Sequence, residues 1–354
     1  MGAFLEKPVT EKHHDAATLP NGLSYALSSM QGWRIHMEDA HAVSADLPNL
    51  PNGALFAVFD GHGGKTVSTT AGEIFIQAIT STEAYTKGDK SAANLEQVLS
   101  KGLFELDEAI KEKHPQLKAG HDRSGSTVIC GFVTETSVVL CNCGDSRAVL
   151  VSDGKVKFAT SDHKPSDEIE TQRIKNAGGF IEMGRVCGNL AVSRAIGDYE
   201  YKDRPDLKPE EQKVTALSDT TSISRTPKDE FLVLACDGIW DVLTNEGVQL
   251  VVNFFLERGY DAERIADLLL DYCLELGSKD NMSALLILFP GCRKPDPSLT
   301  KTAETEEARA TILEEQMMRL RQIVESTPNV LPAGAIETSP MAASKASQMS
   351  SGTV

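Results

Sequence analysis

The chain has no run approaching the roughly 20 apolar residues that a membrane span needs. Its first residues also lack the basic-then-apolar pattern of a secretory leader. There is no CxxC pair and no Cys/His ligand spacing, and the seven cysteines are odd in number. Cys130, Cys141, Cys143, Cys236 and Cys273 sit inside apolar segments. A disulfide framework and a zinc site are therefore disfavoured, and buried thiols in a reducing cytosol fit better. Positive charge is scarce: 35 Lys and Arg face 51 Asp and Glu, a formal balance of −16. That opposes binding to a nucleic acid backbone. It suits divalent cations or basic partners, although most of the charge is solvated surface. The 354 residues, 41% hydrophobic and 24% charged, are enough for one large globular domain or two ordinary ones.

Two nucleotide signatures are missing as well. Asp60-Gly-His-Gly-Gly-Lys-Thr66 ends like a phosphate-binding loop, but the first glycine of that motif falls at Phe59. The dinucleotide fingerprint fails because Thr66 stands where its third glycine belongs. What remains is an apolar run, a carboxylate, a pliable backbone and the imidazole of His62.

That arrangement recurs. Ala54–Phe59 leads into Asp60, Ser137–Gly144 into Asp145, and Glu230–Cys236 into Asp237, with Asp241 four residues on. A fourth run is reversed, with Asp280 preceding Ala284–Phe289. Short apolar runs bounded by turn residues read as buried strands. Antiparallel pairing can bring the C-terminal ends of some beside the N-terminal end of another. The carboxylates then meet on one rim, where they repel one another unless cations sit among them. Singly, an aspartate at a strand end is more often a cap than a ligand; the repetition favours a metal site.

All the candidate ligands are oxygens, the Gly61 carbonyl included, which selects Mg²⁺ or Mn²⁺ over zinc or copper. Asp237 and Asp241 can share an ion if the chain turns helical there. In Met30-Gln-Gly-Trp-Arg34-Ile-His-Met-Glu38-Asp39, Arg34 and Glu38 share one face of an extended chain and Asp39 takes the other. A guanidinium beside a metal carboxylate is a phosphate clamp; a plain Arg34–Glu38 salt bridge is an equal alternative, and Trp33 reads as core. Two ions roughly 3.5–4 Å apart would make a bridging water hydroxide-like, with His62 placed to protonate a leaving oxygen.

Along the chain, residues 1–22 read as a loose arm and strands dominate from Leu23. Helices are expected over Gly64–Thr80, Ala92–His114, Ser166–Ala177, Asn245–Leu256 and Ala262–Leu276. Residues 162–213 read as a flap, and Asp153-Gly154 as a hairpin turn. Largely sequential strands with paired helices favour an antiparallel sandwich with helices outside. Past Pro290, one amphipathic helix over Ala303–Glu325, with Leu313, Met317, Leu320 and Val324 on one side, precedes a tail of disordered character.

The motifs Met30-Gln-Gly-Trp-Arg34…Met37-Glu38-Asp39-Ala-His, Phe59-Asp60-Gly-His-Gly-Gly, Gly125-Ser-Thr, Gly144-Asp145-Ser-Arg, Leu190-Ala-Val-Ser-Arg-Ala-Ile-Gly-Asp198, Ala235-Cys-Asp237-Gly-Ile-Trp-Asp241 and Asp280-Asn281-Met-Ser occur in the order found in the metal-dependent protein serine/threonine phosphatases. The stretch Leu23–Phe289 resembles that family, protein phosphatase 2C, and the opening Met-Gly-Ala-Phe-Leu is similar to its animal alpha and beta members. The resemblance implies an α+β fold: a four-layer αββα sandwich of two antiparallel sheets flanked by helices, with a catalytic domain over 23–290 and a helical extension over 291–354. It implies that Asp60 bridges two ions, that Asp237 and Asp280 complete one, and that Glu38 and the Gly61 carbonyl complete the other. Asp39 and Asn281 would stand behind the ligands, and Asp145 and Asp241 would hold a weaker third ion. Arg34 would grip phosphate and His62 act as general acid. The implied activity is dephosphorylation of phosphoserine and phosphothreonine in proteins by direct attack of a metal-bridging water, in a cytoplasmic and nuclear monomer. The relatives' lipidated glycine corresponds to Gly2, so the resemblance implies weak membrane association through a myristoyl group, whereas the pattern alone, with Glu6 where the favoured hydroxyl residue would stand, reads as an ordinary frayed terminus. His36 and Arg204–Gln212 depart from the family pattern.

Two rival readings differ in class. A catalytically idle phosphoprotein-binding module is disfavoured by the intact ligand set. A small-molecule phosphatase or nuclease keeps the metals, but the acidic charge opposes nucleic acid.

Overall fold

The computed structural model describes residues 4–301, 303 and 305–333. Gly2 and the tail beyond 333 lie outside the described residues.

Two large antiparallel sheets dominate. One has six strands in the order Phe4–Thr18, Ser24–Arg34, Met282–Leu288, Asp229–Ala235, Arg147–Ser152, Lys155–Ala159. The other has five, ordered Asp219–Ser224, Ser137–Cys143, Val128–Val133, Ala54–Phe59, Ala40–Ser44. The central strands read as continuous apolar runs because both of their faces are buried. Ala54, Phe56 and Val58 point between the sheets, whereas Leu55, Ala57 and Phe59 point outward into a helix layer. On the facing sheet Leu232 and Leu234 point inward and Phe231, Val233 and Ala235 outward. Tyr25 meets Phe56 edge-on across the inter-sheet core, with ring centroids 5.5 Å apart.

Outside the five-stranded sheet lie the helices Thr66–Ser81 and Ala92–Lys113, which bury Phe75, Ile79, Leu99 and Leu103 against it. Outside the six-stranded sheet lie Asn245–Leu256 and Ala262–Glu275. The fold is the αββα sandwich implied by the sequence. The C-terminal helix Glu306–Ser326 packs on this second layer: Met317, Leu320 and Val324 join its core, with Leu313 partly buried, and Arg321 pairs with Glu275 at 2.8 Å.

One expectation is corrected. Residues 4–18 are not a loose arm but a strand, paired along Ser24–Arg34 from Phe4↔Arg34 to Thr18↔Ser24 with register shifts near its start. Its side chains are mostly exposed, so no apolar alternation advertises it. Main-chain pairing and polar ties such as Lys12–Asp271 at 2.7 Å hold it instead.

Residues 162–213 contain a helix, Glu168–Asn176, a short hairpin of Ile181–Glu182 and Arg185–Val186, and a small core of Ile174, Val186, Val192, Ala195, Tyr201 and Val214. Its polar centre is Glu170, which takes Arg173 and Arg194 at 2.7 Å each and is buried. Burial opposes ionisation of Glu170, but the hydrogen bond from Arg194 and the charge of Arg173 outweigh it and draw the carboxyl down to about 2.

Two stability outcomes follow. Leu320→Ala should cost about 3 kcal/mol in denaturant unfolding; no change would mean the C-terminal helix does not belong to the core. Glu170→Gln should cost about 3 kcal/mol at neutral pH, because two buried guanidinium groups lose their carboxylate. A depressed folded-state pKa stabilises above the unfolded value and is lost as pH falls through the folded one. The gap between wild type and Glu170→Gln should therefore close between about pH 4.5 and pH 2. A gap that stays constant would exclude the linkage.

Candidate metal centre and phosphate cleft

Strand register gathers the carboxylates at one end of the sandwich. The pairs Ala40↔Phe59 and Val58↔Ile129 set Asp39 and Asp60 side by side, and Val128↔Cys143 carries Asp145 to the same rim. On the other sheet, Ala235↔Ala284 and Met282↔Met30 bring Asp237, Asp280 and the end of the Arg34 strand together. Carboxylate oxygens of Asp60, Asp145 and Asp237 lie within 4.8 Å of one another. Arg34, Glu38, Gly61, His62, Asp280 and Asn281 line the same cleft of about 820 Å³.

The electrostatics are those of crowded acids. Burial, then Asp39, Asp145 and Asp280, push Asp60 well above the usual carboxylate range; burial, then Asp60 and Asp145, do the same to Asp237. Burial raises Asp39 to about 7 against a 2.7 Å hydrogen bond donated by Ser283, and Asp39 Oδ1 is buried without a hydrogen-bond partner among the described residues. A set of hard oxygens, mutually repelling and with a lone pair unsatisfied, fits a divalent cation.

Supporting contacts set the loop that carries Glu38. Asn281 donates to the carbonyls of Gln31 at 2.8 Å and His36 at 3.0 Å, and accepts the Glu38 N–H at 2.9 Å. Ser68 Oγ donates to the Glu38 carbonyl. Gly61 is glycine by necessity, since a Cβ there would stand 2.2 Å from that carbonyl oxygen.

Other placements refine the sequence reading. Arg34 pairs with Asp280 rather than Glu38. Trp33 is not core: it is half-buried, with Lys279 Nζ 4.0 Å from its ring centre. Asp237–Trp240 is indeed a helical turn, and Asp241 N–H donates to the Asp237 carbonyl at 2.8 Å. Asp241 is nevertheless exposed, and it lies outside the tight group that Asp145 joins.

Sequence reasoning missed two partners. Lys164, from the segment 162–213, places its ammonium 2.7 Å from Asp145. Asp198 lies 2.7 Å from His62 Nε2. A signal for Asp198 was available, because Ile196-Gly197-Asp198 repeats the apolar-Gly-Asp ending of Cys143-Gly144-Asp145. Burial alone lowers the His62 pKa, but Asp198, then Asp145 and Glu38, outweigh it and hold the imidazole above its ordinary value.

This geometry agrees with the kinship of the chain. The sequence model of the family described as Protein phosphatase 2C matches residues 23–282. The chain belongs to that family. It is 42% identical over 358 residues to mouse Protein phosphatase 1B, covering 95% of this chain and 91% of the relative. It is 42% identical over 346 residues to human Protein phosphatase 1A, covering 96% and 90%. Among solved structures, a phosphatase from Toxoplasma gondii superposes with a TM-score of 0.66 at 27% identity, over 79% of this chain and 96% of that one. A second, a serine-threonine phosphatase 2C from the same organism, has a TM-score of 0.63 at 20% identity, over 81% and 98%, and shows the shared fold. This protein is a protein serine/threonine phosphatase, of a family that is metal-dependent.

Asn281→Ala should weaken Mn²⁺ binding measured by calorimetry about 10- to 100-fold, because the Glu38 loop loses three hydrogen bonds. Unchanged affinity would mean that Asn281 does not set the site.

Proposed function

We propose that the chain hydrolyses phosphoserine and phosphothreonine in proteins by a single displacement that depends on Mg²⁺ or Mn²⁺. The observation that carries this reading is the convergence of Asp60, Asp145 and Asp237 in the cleft that Arg34 and His62 also line. Asp60, Asp237, Asp280, Glu38 and the Gly61 carbonyl would hold two ions, with Asp145 and Asp241 available to a third. When bound, such ions activate water as a nucleophile and neutralise the charge that develops on a phosphoryl group.

The remaining work falls to the chain. Arg34 borders the cleft with its guanidinium tied to Asp280, a placement that lets its fork orient phosphate oxygens. His62, favoured as imidazolium by the surrounding carboxylates, donates a proton to the departing seryl or threonyl oxygen. Cys236 beside Asp237 is fully buried, and burial, then Asp39 and Asp60, push its thiol well up. It is thus unsuited to act as a nucleophile, which supports attack by water without a covalent phosphoenzyme.

The protein should release phosphate from a phosphothreonine peptide in Mn²⁺, lose that activity in chelator, and regain it when the metal is restored. Asp60→Asn should reduce the rate on the order of 10³-fold, about 4 kcal/mol of transition-state stabilisation. A wild-type chain inactive across metals and pH, or an Asp60→Asn variant at full rate, would end the reading.

A further inference from the structure

Three two-residue strands sit beneath the catalytic cleft in the order Ile196–Gly197, Gly125–Ser126, Gly61–His62. Gly125 pairs with Gly197 on one side and with His62 on the other. This small sheet sets two side chains across a glycine. A Cβ at Gly125 would lie 2.1 Å from Asp198 Oδ2 and 2.5 Å from His62 Nε2, so the His62–Asp198 contact at 2.7 Å occupies space that only glycine leaves free.

The carboxylate is built in rather than incidental. Asp198 is 2% exposed, and its backbone is left-handed at φ 52°, an unusual conformation that surrounding contacts must maintain. Its N–H donates to the Ser124 carbonyl at 3.1 Å. The preceding Gly197 N–H donates to Asp107 Oδ1 at 2.7 Å, and Lys202 reaches Asp107 Oδ2 at 2.5 Å. Asp107 is itself buried, on the helix Ala92–Lys113. A helix of the outer layer thus anchors the segment that presents Asp198 to the imidazole. Among the described residues, Asp198 forms its ion pair with His62 alone.

We infer that Asp198 is a positioning residue for His62: it accepts the Nε2–H, fixes the plane of the ring, and leaves Nδ1 as the nitrogen whose proton goes to the leaving group. This rests on the phosphatase reading and extends it to a residue with no role there. In the step itself the bond between phosphorus and the seryl or threonyl oxygen breaks, its electron pair staying on that oxygen, which takes the Nδ1 proton. The oxygen of water forms the new bond to phosphorus and its proton passes to solvent. The imidazole is left neutral, with Nε2–H still donated to Asp198, and recovers its proton from solvent.

The test turns on the leaving group. A threonyl oxygen must be protonated as it departs, whereas p-nitrophenolate leaves without help. Asp198→Asn keeps the size of the residue and tolerates the left-handed backbone. It should lower kcat for a phosphothreonine peptide on the order of 10²-fold, yet change kcat for p-nitrophenyl phosphate by less than about threefold. Asp198→Asn combined with His62→Asn should be no slower than His62→Asn alone. Equal losses on both substrates, or additive losses in the double variant, would overturn the inference. Wild-type inactivity toward both substrates would instead defeat the phosphatase reading. A readout independent of turnover and of variant folding is the ¹⁵N spectrum of His62 in the wild-type protein. A protonated Nε2 hydrogen-bonded to a carboxylate is required, and an Nε2 that carries no proton would refute the assignment outright.

Discussion

Mutual repulsion among crowded, buried and half-buried carboxylates is the constraint around which this structure is organised. Asp60, Asp145 and Asp237 are held within 4.8 Å of one another by strands that have no freedom to let them part. Each strand end is locked by ladder pairing and by apolar side chains on both faces, so the acids cannot relax away from each other as surface groups would. Stability supplied by the two sheets and their helix layers thereby holds negative charge concentrated at one place.

The same rigidity explains how neighbouring groups are used. Arg34 answers Asp280, Lys164 answers Asp145, and His62 answers Asp198. Three cationic or proton-bearing groups thus stand at the border of the acidic cluster. Their origins differ: Arg34 comes from the six-stranded sheet, Lys164 from the segment 162–213, and His62 from the small three-stranded sheet that borders the cleft. Of the three, Arg34 and His62 line the cleft itself, so the groups that face it are anchored in separate parts of the molecule. Loss of one support, such as the Asn281 bridge between the Gln31–Glu38 loop and the Asp280 strand, disturbs the geometry without removing any charge.

How far the sequence could be read depended on burial. Runs such as Ala54–Phe59 and Asp229–Ala235 announced themselves because both faces are buried, and Ala92–Lys113 because its apolar stripe is continuous. Phe4–Thr18 stayed hidden because its ladder is satisfied by main-chain groups, which leave no mark on side-chain pattern. Trp33 misled for the opposite reason: a large aromatic is read as core, but here it is a half-buried platform beneath Lys279.

The identities of the acids, their attachment to strand ends, and the preference of an all-oxygen set for hard divalent ions were determined by the sequence alone, since they follow from residue type and local pattern. Which acids share a cluster was decided only by tertiary structure, because strand order and register, not chain distance, set the separations. That is why Asp145 joins Asp60 and Asp237 while Asp241, four residues from Asp237, stays exposed outside the group. It is also why Asp198, far from His62 along the chain, becomes its neighbour: only a glycine-floored sheet of three short strands brings carboxylate and imidazole into contact.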